Sequence, residues 1–277
     1  MRIDSHHHLW NYSPQHYGWI SESMSVLRRD FTPADLQATV EPHGVSGVVT
    51  VQARQSLEET HWLLALADAN PLIRGVVGWV PLMAPEIQDV LQSLSSADRL
   101  KAVRHVVQDE PDDNFILGEE FHRGVSLLKT FDLVYDILIF AKQLRPTIQF
   151  VDRHPDQPFV LDHIAKPTIH PGRMDEAWEA AIRDLARRPQ VSCKFSGVVT
   201  EIVDQGEWSL ETIRPYWDVV LEAFGPSRLM FGSDWPVCLL RSQYASWVQA
   251  VEQLTAPLSE TEQTAFWSGN AIQAYNL

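Results

Sequence analysis

Eight times along this chain a short apolar run rich in β-branched residues gives way to a longer amphipathic one, and no other feature narrows the choice of fold as much. The short runs are Met1–His6, Val45–Gln52, Ile73–Pro81, Lys101–Val107, Val134–Phe140, Phe159–His163, Val191–Ser196 and Leu229–Ser233. Most are apolar at successive positions, as in Gly47-Val48-Val49-Thr50-Val51, rather than at every second one. Strands of that kind are covered on both faces, which is the condition of a parallel sheet. Helix-like runs lie between them. Ser56 to Ala69 carries Leu57, Leu63, Leu64 and Ala67 on one stripe, with Glu58 and Glu59 in the first turn, where the helix dipole favours acids. Glu119–Phe131, Asp175–Arg188 and Leu210–Phe224 read likewise, and Gly225-Pro226 stops the last of these. Gln243–Leu254 and Glu260–Gly269 follow the eighth run.

Units of about 30 residues, each a strand and a helix, predict an α/β fold: a single (β/α)8 TIM barrel over residues 1–277. An open doubly wound sheet would want a GxGxxG turn after an early strand, and none is present. Segments 10–30 and 108–118 exceed what a connection needs and are expected over the mouth of the barrel. Acidic residues outnumber basic ones 36 to 22, a net charge of -14. That balance argues against nucleic acid and anionic membranes as partners and leaves a small molecule. No apolar stretch reaches the ~18 residues of a membrane span, and no basic-then-apolar leader precedes the first strand. Cys193 and Cys238 are too few for a disulfide framework. A cytoplasmic protein with two free thiols is the expectation.

In barrels of this kind the chemistry sits at the C-terminal ends of the strands, and here those ends are rich in ionisable residues. The first ends in Asp4-Ser5-His6-His7-His8. His6 and His8, two apart on an extended chain, share a face and can chelate a divalent ion; the alternative is a solvated polar strand end. The fourth ends in Arg104-His105, a guanidinium fork for a ligand or one half of a rim salt bridge. The sixth ends in Asp162-His163, with Lys166 close behind. Lys194 interrupts the apolar seventh run and either pairs inside the barrel or snorkels outward between helices. Asp234 follows the eighth, as a general base, a metal-binding carboxylate or a helix cap.

Taken together, Ile3-Asp4-Ser5-His6-His7-His8-Leu9-Trp10, Val103-Arg104-His105, Leu161-Asp162-His163-Ile164-Ala165-Lys166-Pro167, Lys194-Phe195-Ser196-Gly197 and Phe231-Gly232-Ser233-Asp234-Trp235-Pro236 resemble, in order and in strand position, the amidohydrolase-2 branch of the amidohydrolase superfamily. Gly269-Asn270-Ala271 with Tyr275 fits that family's closing helix, so the likeness runs nearly end to end. Within the branch the pattern is most similar to sugar lactonases. The resemblance implies a distorted barrel, hydrolysis of a sugar-acid lactone, and a central group of His6, His8, His163 and Asp234. It departs from the superfamily's two-metal pattern: strand four offers Arg104-His105 instead of a bridging ligand, and Tyr135-Asp136-Ile137-Leu138-Ile139-Phe140 of strand five contains no histidine. At most one divalent ion, Zn above others, is then expected on His6, His8 and Asp234, and metal-free catalysis is the alternative.

On this reading Asp234, His163 and Lys194 are the catalytic residues. Asp234 takes the proton of the attacking water, while a metal or a cationic set of Arg104, His163 and Lys194 stabilises the oxyanion. Arg104, His105, Lys166, Trp10 and Trp235 are expected to contact the substrate, with Trp19 as a further aromatic candidate. The partner is a small sugar lactone; a homo-oligomer is left open. Two rivals stand beside it: a metal-dependent decarboxylase of aromatic or unsaturated acids from the same branch, and, more remotely, a non-catalytic barrel that binds a sugar acid.

Overall fold

A computed structural model describes every residue except Gln205 and Glu207. Its eight strands are β1 (Arg2–His7), β2 (Val45–Val51), β3 (Ile73–Gly78), β4 (Leu100–Val106), β5 (Val134–Leu138), β6 (Phe159–Leu161), β7 (Val191–Phe195) and β8 (Leu229–Phe231). Each pairs in parallel with the next in one sheet ordered β1 to β8. The sheet closes above β8, not along it. His7 bridges Trp235, the Asp234 N–H donates to the His6 carbonyl at 2.8 Å, and the His8 N–H donates to the Trp235 carbonyl at 2.7 Å. The barrel's seam is therefore made by segments expected to carry chemistry.

Helices α1 (Pro33–Val40), α2 (Leu57–Ala69), α3 (Ile87–Leu94), α4 (Glu119–Leu128), α5 (Leu144–Asp152), α6 (Glu176–Leu185), α7 (Leu210–Phe224) and α8 (Tyr244–Thr255) connect and wrap the strands; α9 (Glu260–Thr264) and α10 (Asn270–Tyr275) follow. Side-chain caps start several of them. Thr32 and Asp35 form a capping box on α1, Ser56 caps α2 and Asp175 caps α6, each satisfying an otherwise orphaned N–H. Gly225, at φ 69°, ends α7 where the sequence placed a stop. The expected helix Glu260–Gly269 is instead α9 followed by a wider turn at Ala265–Gly269. Helices α1, α3 and α5 were not among the runs singled out by apolar periodicity.

Four strands stop at least two residues short of their apolar runs: β3 at Gly78, β5 at Leu138, β6 at Leu161 and β8 at Phe231. Beyond Leu161 and Phe231 the chain bends into turns that point side chains across the barrel mouth.

Alternation along each strand sends one side chain into the barrel and the next into the layer under the helices. Ile3, Val49, Val77, Ala102, Val134, Val160 and Met230 fill the lower interior, and α10 closes it from below with Ala271 and Tyr275. Two residues further along, β4 and β5 carry Arg104 and Asp136 on the same faces, and Asp162 follows the end of β6; Lys194 of β7 joins them. All four are buried. The interior is thus apolar below and charged above.

Candidate active site

β1 presents His6 and His8 on one face, with their Nε2 atoms 3.3 Å apart. His8 Nδ1 lies 2.8 Å from the Val51 carbonyl, so the proton sits there and Nε2 is left facing the site. His7 points the other way, 2.8 Å from the Thr50 hydroxyl, and burial pushes it down to about 3. His6 is fully buried, which holds its pKa well below the usual histidine value and keeps it neutral. Its Nδ1 stands 3.2 Å from Asp162 Oδ1 and 3.2 Å from Lys194 Nζ.

His163 enters from a rare backbone turn. His163, Ile164, Ala165 and Lys166 have φ of 52°, 49°, 62° and 47°. Left-handed geometry costs a non-glycine residue about 1–2 kcal/mol. The turn is held by the Trp178 indole N–H donating to the Ile164 carbonyl at 2.7 Å, and by the Lys166 N–H donating to the His163 carbonyl at 2.8 Å. It brings both His163 and Lys166 to the same cavity. His163 Nδ1 meets the Ser196 hydroxyl at 2.9 Å. Gly197, at φ 63°, makes that approach feasible, because a Cβ there would sit 2.5 Å from His163 Nδ1.

Asp234 completes the group from a left-handed position, φ 56°. Its Oδ1 lies 3.3 Å from His8 Nε2, 3.7 Å from His6 Nε2 and 4.0 Å from His163 Nε2. Burial raises its pKa, but interaction with His163 and with His8 and the charge of Lys166 outweigh it. The carboxyl therefore lies below the usual range and is ionised. The following turn, Val237–Leu240, has no side-chain cap, so Asp234 is not spent as a helix cap.

Beneath this group lies a layer of charge. Arg104 Nη1 donates to Asp162 Oδ2 at 2.8 Å and Nη2 to the Gln52 carbonyl at 2.6 Å. Lys194 Nζ donates to Asp136 Oδ2 at 2.6 Å and ion-pairs with Asp162 Oδ1 at 2.9 Å. Of the two carboxylates sharing Lys194, Asp136 is pushed up to about 6 by burial. Asp162 is held well below the usual range, the burial penalty being overcome by Lys194, His6 and Arg104. Neither aspartate was among the expected site residues. The available signal was a carboxylate inside a buried apolar run, the same that marked Lys194.

Above, a cavity of about 540 Å³ opens at the C-terminal ends of the strands, lined among others by His8, Trp19, Gln52, Arg54, Arg104, Gln108, His163, Lys166 and Asp234. Trp19 and Met24 come from the loop after β1, and Gln108, Asp109 and Glu110 from the segment after β4.

Five expectations need correction. Trp10 does not reach the cavity. It is fully buried, its indole N–H shared by the Leu27 and Arg29 carbonyls, and Phe31 packs edge-on against it. Trp235 is likewise buried, with its ring perpendicular to Phe31 at 5.1 Å. His105 alternates with Arg104 and so points outward. It bonds Glu110 at 2.7 Å and stacks on Phe115. Lys194 faces inward but is sealed below the cavity, so it acts through its neighbours rather than on a ligand. Nor is His163 cationic near neutrality, since burial pushes it down to about 4.

Donors bound tetrahedrally at 2.0–2.1 Å stand about 3.3 Å from one another. The His6, His8 and Asp234 atoms, at 3.3, 3.3 and 3.7 Å, match that spacing. His6, His163 and Asp234 also offer donors within 4.8 Å of one another. The residues present therefore fit a single divalent ion.

Fold and site together define a barrel of the amidohydrolase class. The chain belongs to the Amidohydrolase family, whose profile matches residues 3–277. It is 40% identical, over 100% of its length and 96% of the relative's, to an L-fucono-1,5-lactonase of Burkholderia multivorans (strain ATCC 17616 / 249). It is 33% identical, over 100% and 96%, to an L-fucono-1,5-lactonase of Burkholderia ambifaria. A crystal structure of an amidohydrolase from Burkholderia multivorans with bound zinc superposes with a TM-score of 0.95 at 40% identity, covering 100% of this chain and 99% of that one.

Proposed function

We propose that this protein hydrolyses a sugar-acid lactone, with L-fucono-1,5-lactone or a close stereochemical relative as substrate. The observation that carries the reading is the convergence of His8, His163 and ionised Asp234 at the floor of a cavity, with buried His6 against them, in a chain that is similar over its whole length to lactonases. The same likeness disfavours the decarboxylase, and a floor built of reactive side chains disfavours a barrel that only binds.

Opening a lactone requires a polarised carbonyl, a deprotonated water and a protonated leaving oxygen. His6, His8 and Asp234 Oδ1 would hold a divalent ion, with zinc the first choice for this donor set, and the ion's contribution is Lewis-acid polarisation. Asp234 Oδ2 takes a proton from water as the water oxygen bonds to the carbonyl carbon. When the carbon–ring oxygen bond breaks, the same carboxyl returns that proton to the alkoxide, and the hydroxy acid is released. Neutral His163, fixed at Nδ1 by Ser196, keeps Nε2 turned toward Asp234 and the developing oxyanion. Arg104 and Lys166 supply positive charge at the wall, and Trp19 takes the place expected for Trp10 and Trp235 against an apolar sugar face.

Titrating acid release from a panel of aldonolactones, with and without chelator, tests this. Asp234→Asn is expected to lower kcat/KM by about 10²–10⁴. Unchanged activity in that variant would remove Asp234 as the base. Carbon dioxide release from aromatic acids without lactone opening would install the decarboxylase instead.

A further inference from the structure

One buried carboxylate joins the two loops that make a wall of the cavity. Ser56-Leu57-Glu58-Glu59 opens α2 with the Ser-x-x-Glu spacing of a capping box, and the Ser56 hydroxyl does accept from the Glu59 N–H, at 3.1 Å. In such a box the glutamate carboxylate turns back to the N–H of the capping serine. Here it reaches further. Glu59 Oε2 accepts from the N–H groups of Ala53 and Arg54, at 2.9 and 2.8 Å, and Oε1 from the Tyr17 hydroxyl, at 3.0 Å. Ala53 and Arg54 belong to the loop after β2, and Tyr17 to the long segment after β1. A second tie joins the same two loops: the Trp19 indole N–H donates to the Ala53 carbonyl at 2.9 Å. Trp19, Ala53 and Arg54 line the cavity, whereas Glu59 and Tyr17 are buried behind them. A buried carboxylate needs its oxygens engaged, and the three donors that engage this one all come from the wall, not from its own helix.

We propose that Glu59 is a positioning residue for substrate binding: its carboxylate fixes the loops after β1 and β2 against each other, so that the Trp19 ring and the Arg54 guanidinium stand as one preformed face for the substrate ring. The two side chains offer complementary contacts, an aromatic surface for C–H groups and N–H donors for hydroxyls. Arg54 is steadied further by Glu58, 3.1 Å from Nη2. Without Glu59, two backbone N–H groups beneath the wall lose their acceptor, and the loop after β2 must move to find water or another partner. Trp19 and Arg54 are not among the groups that meet at Asp234. Contacts they make to the substrate are therefore the same before and during ring opening. Interactions of that kind lower KM and leave kcat alone.

The inference rests on the lactonase reading for its kinetic arm only. Glu59→Leu removes the acceptor at similar size. Glu59→Gln restores one: its amide oxygen can take the two backbone N–H groups while its NH2 donates to the Tyr17 hydroxyl. With the lactone that the wild type opens best, Glu59→Leu is expected to raise KM about tenfold with kcat within about twofold, and Glu59→Gln to bring KM back within about twofold of the wild type. A second readout needs no turnover. In full-length protein labelled with 5-fluorotryptophan, the ¹⁹F line of Trp19, assigned by its loss in Trp19→Phe, should shift or broaden in Glu59→Leu and keep its place in Glu59→Gln. If Glu59→Leu melts lower but KM and the Trp19 line match the wild type, the carboxylate only stabilises the fold and the proposal fails. A fall in kcat at unchanged KM overturns it too. If the wild type opens no lactone, the functional reading fails, and the Trp19 line alone still decides this inference. Should Glu59→Leu fold poorly, Tyr17→Phe cuts the tie to the first loop by one hydroxyl and must move the Trp19 line, with a smaller KM rise of about threefold. An unaltered KM and Trp19 line there overturn the proposal.

Discussion

Two polar layers lie one above the other inside this barrel and are held on different terms. In the lower, Arg104, Asp136, Asp162 and Lys194 pair with one another and with Tyr275, away from solvent except where Arg104 touches the cavity. In the upper, His8 and His163 stand 3.3 and 4.0 Å from Asp234 at the cavity floor; the Val51 carbonyl holds His8, the Ser196 hydroxyl holds His163, and the backbone seam with His6 holds Asp234. His6 belongs to both. The lower layer has partners but no access, and the upper has access with donor atoms left open. A charge buried without its partner is expensive, whereas an open donor at a cavity floor is what a ligand needs. Stability should therefore depend on the lower layer and turnover on the upper.

The largest effect expected is on folding. Lys194→Met leaves Asp136 and Asp162 without the cation they share, with only Arg104 remaining on Asp162, and should cost about 3–5 kcal/mol in denaturant unfolding. A loss under 1 kcal/mol would break the distinction. His8→Ala should do the reverse: about a hundredfold loss in kcat/KM from one lost site ligand, with little change in the unfolding midpoint. A large drop in stability would show that the upper layer is structural too.

A subtler effect concerns the wall of the cavity. Glu59 accepts from the backbone N–H groups of Ala53 and Arg54, at 2.9 and 2.8 Å, and from the Tyr17 hydroxyl, so it shapes the loop that carries these lining residues. Burial pushes its pKa up to about 7 from 4.5. The folded chain then binds a proton below about pH 7 that the unfolded chain binds only below about 4.5. Wild-type stability should therefore rise relative to Glu59→Gln as pH falls through that window, and be lost again as pH rises through 7. Parallel unfolding curves at all pH values would refute it. The smallest effect on turnover is expected one residue from Arg104: His105→Asn should leave kcat/KM within about twofold, since this side chain packs on Phe115 and bonds Glu110 instead of facing the catalytic group.

Much of the fold was legible. All eight strands lie within or beside the apolar runs, because a strand buried on both faces must be apolar at every position. His6 and His8 were placed together by the two-residue period of an extended chain, and Asp234 by its position after the eighth run. Facing was harder to read. Arg104 and His105, or Lys194 and its neighbours, differ by one position, and only the closed barrel says which is inside. Trp10 and Trp235 stand beside site residues in sequence, but the seam between β1 and Trp235 turns both under Phe31.

What the sequence determined by itself is therefore the barrel and the list of groups at its rim, since apolar periodicity and strand-end polarity are local properties. What only the tertiary structure decided is which of those groups meet. Asp136 and Asp162 become site residues because neighbouring strands align them around Lys194. His163 reaches Asp234 through a left-handed turn that no propensity favours. Tyr275 acquires its partner 139 residues away because the last helix closes the barrel from below. The physical reason is the same in each case: burial makes a charge seek a partner, and the partner's identity depends on distances set only once the sheet has closed.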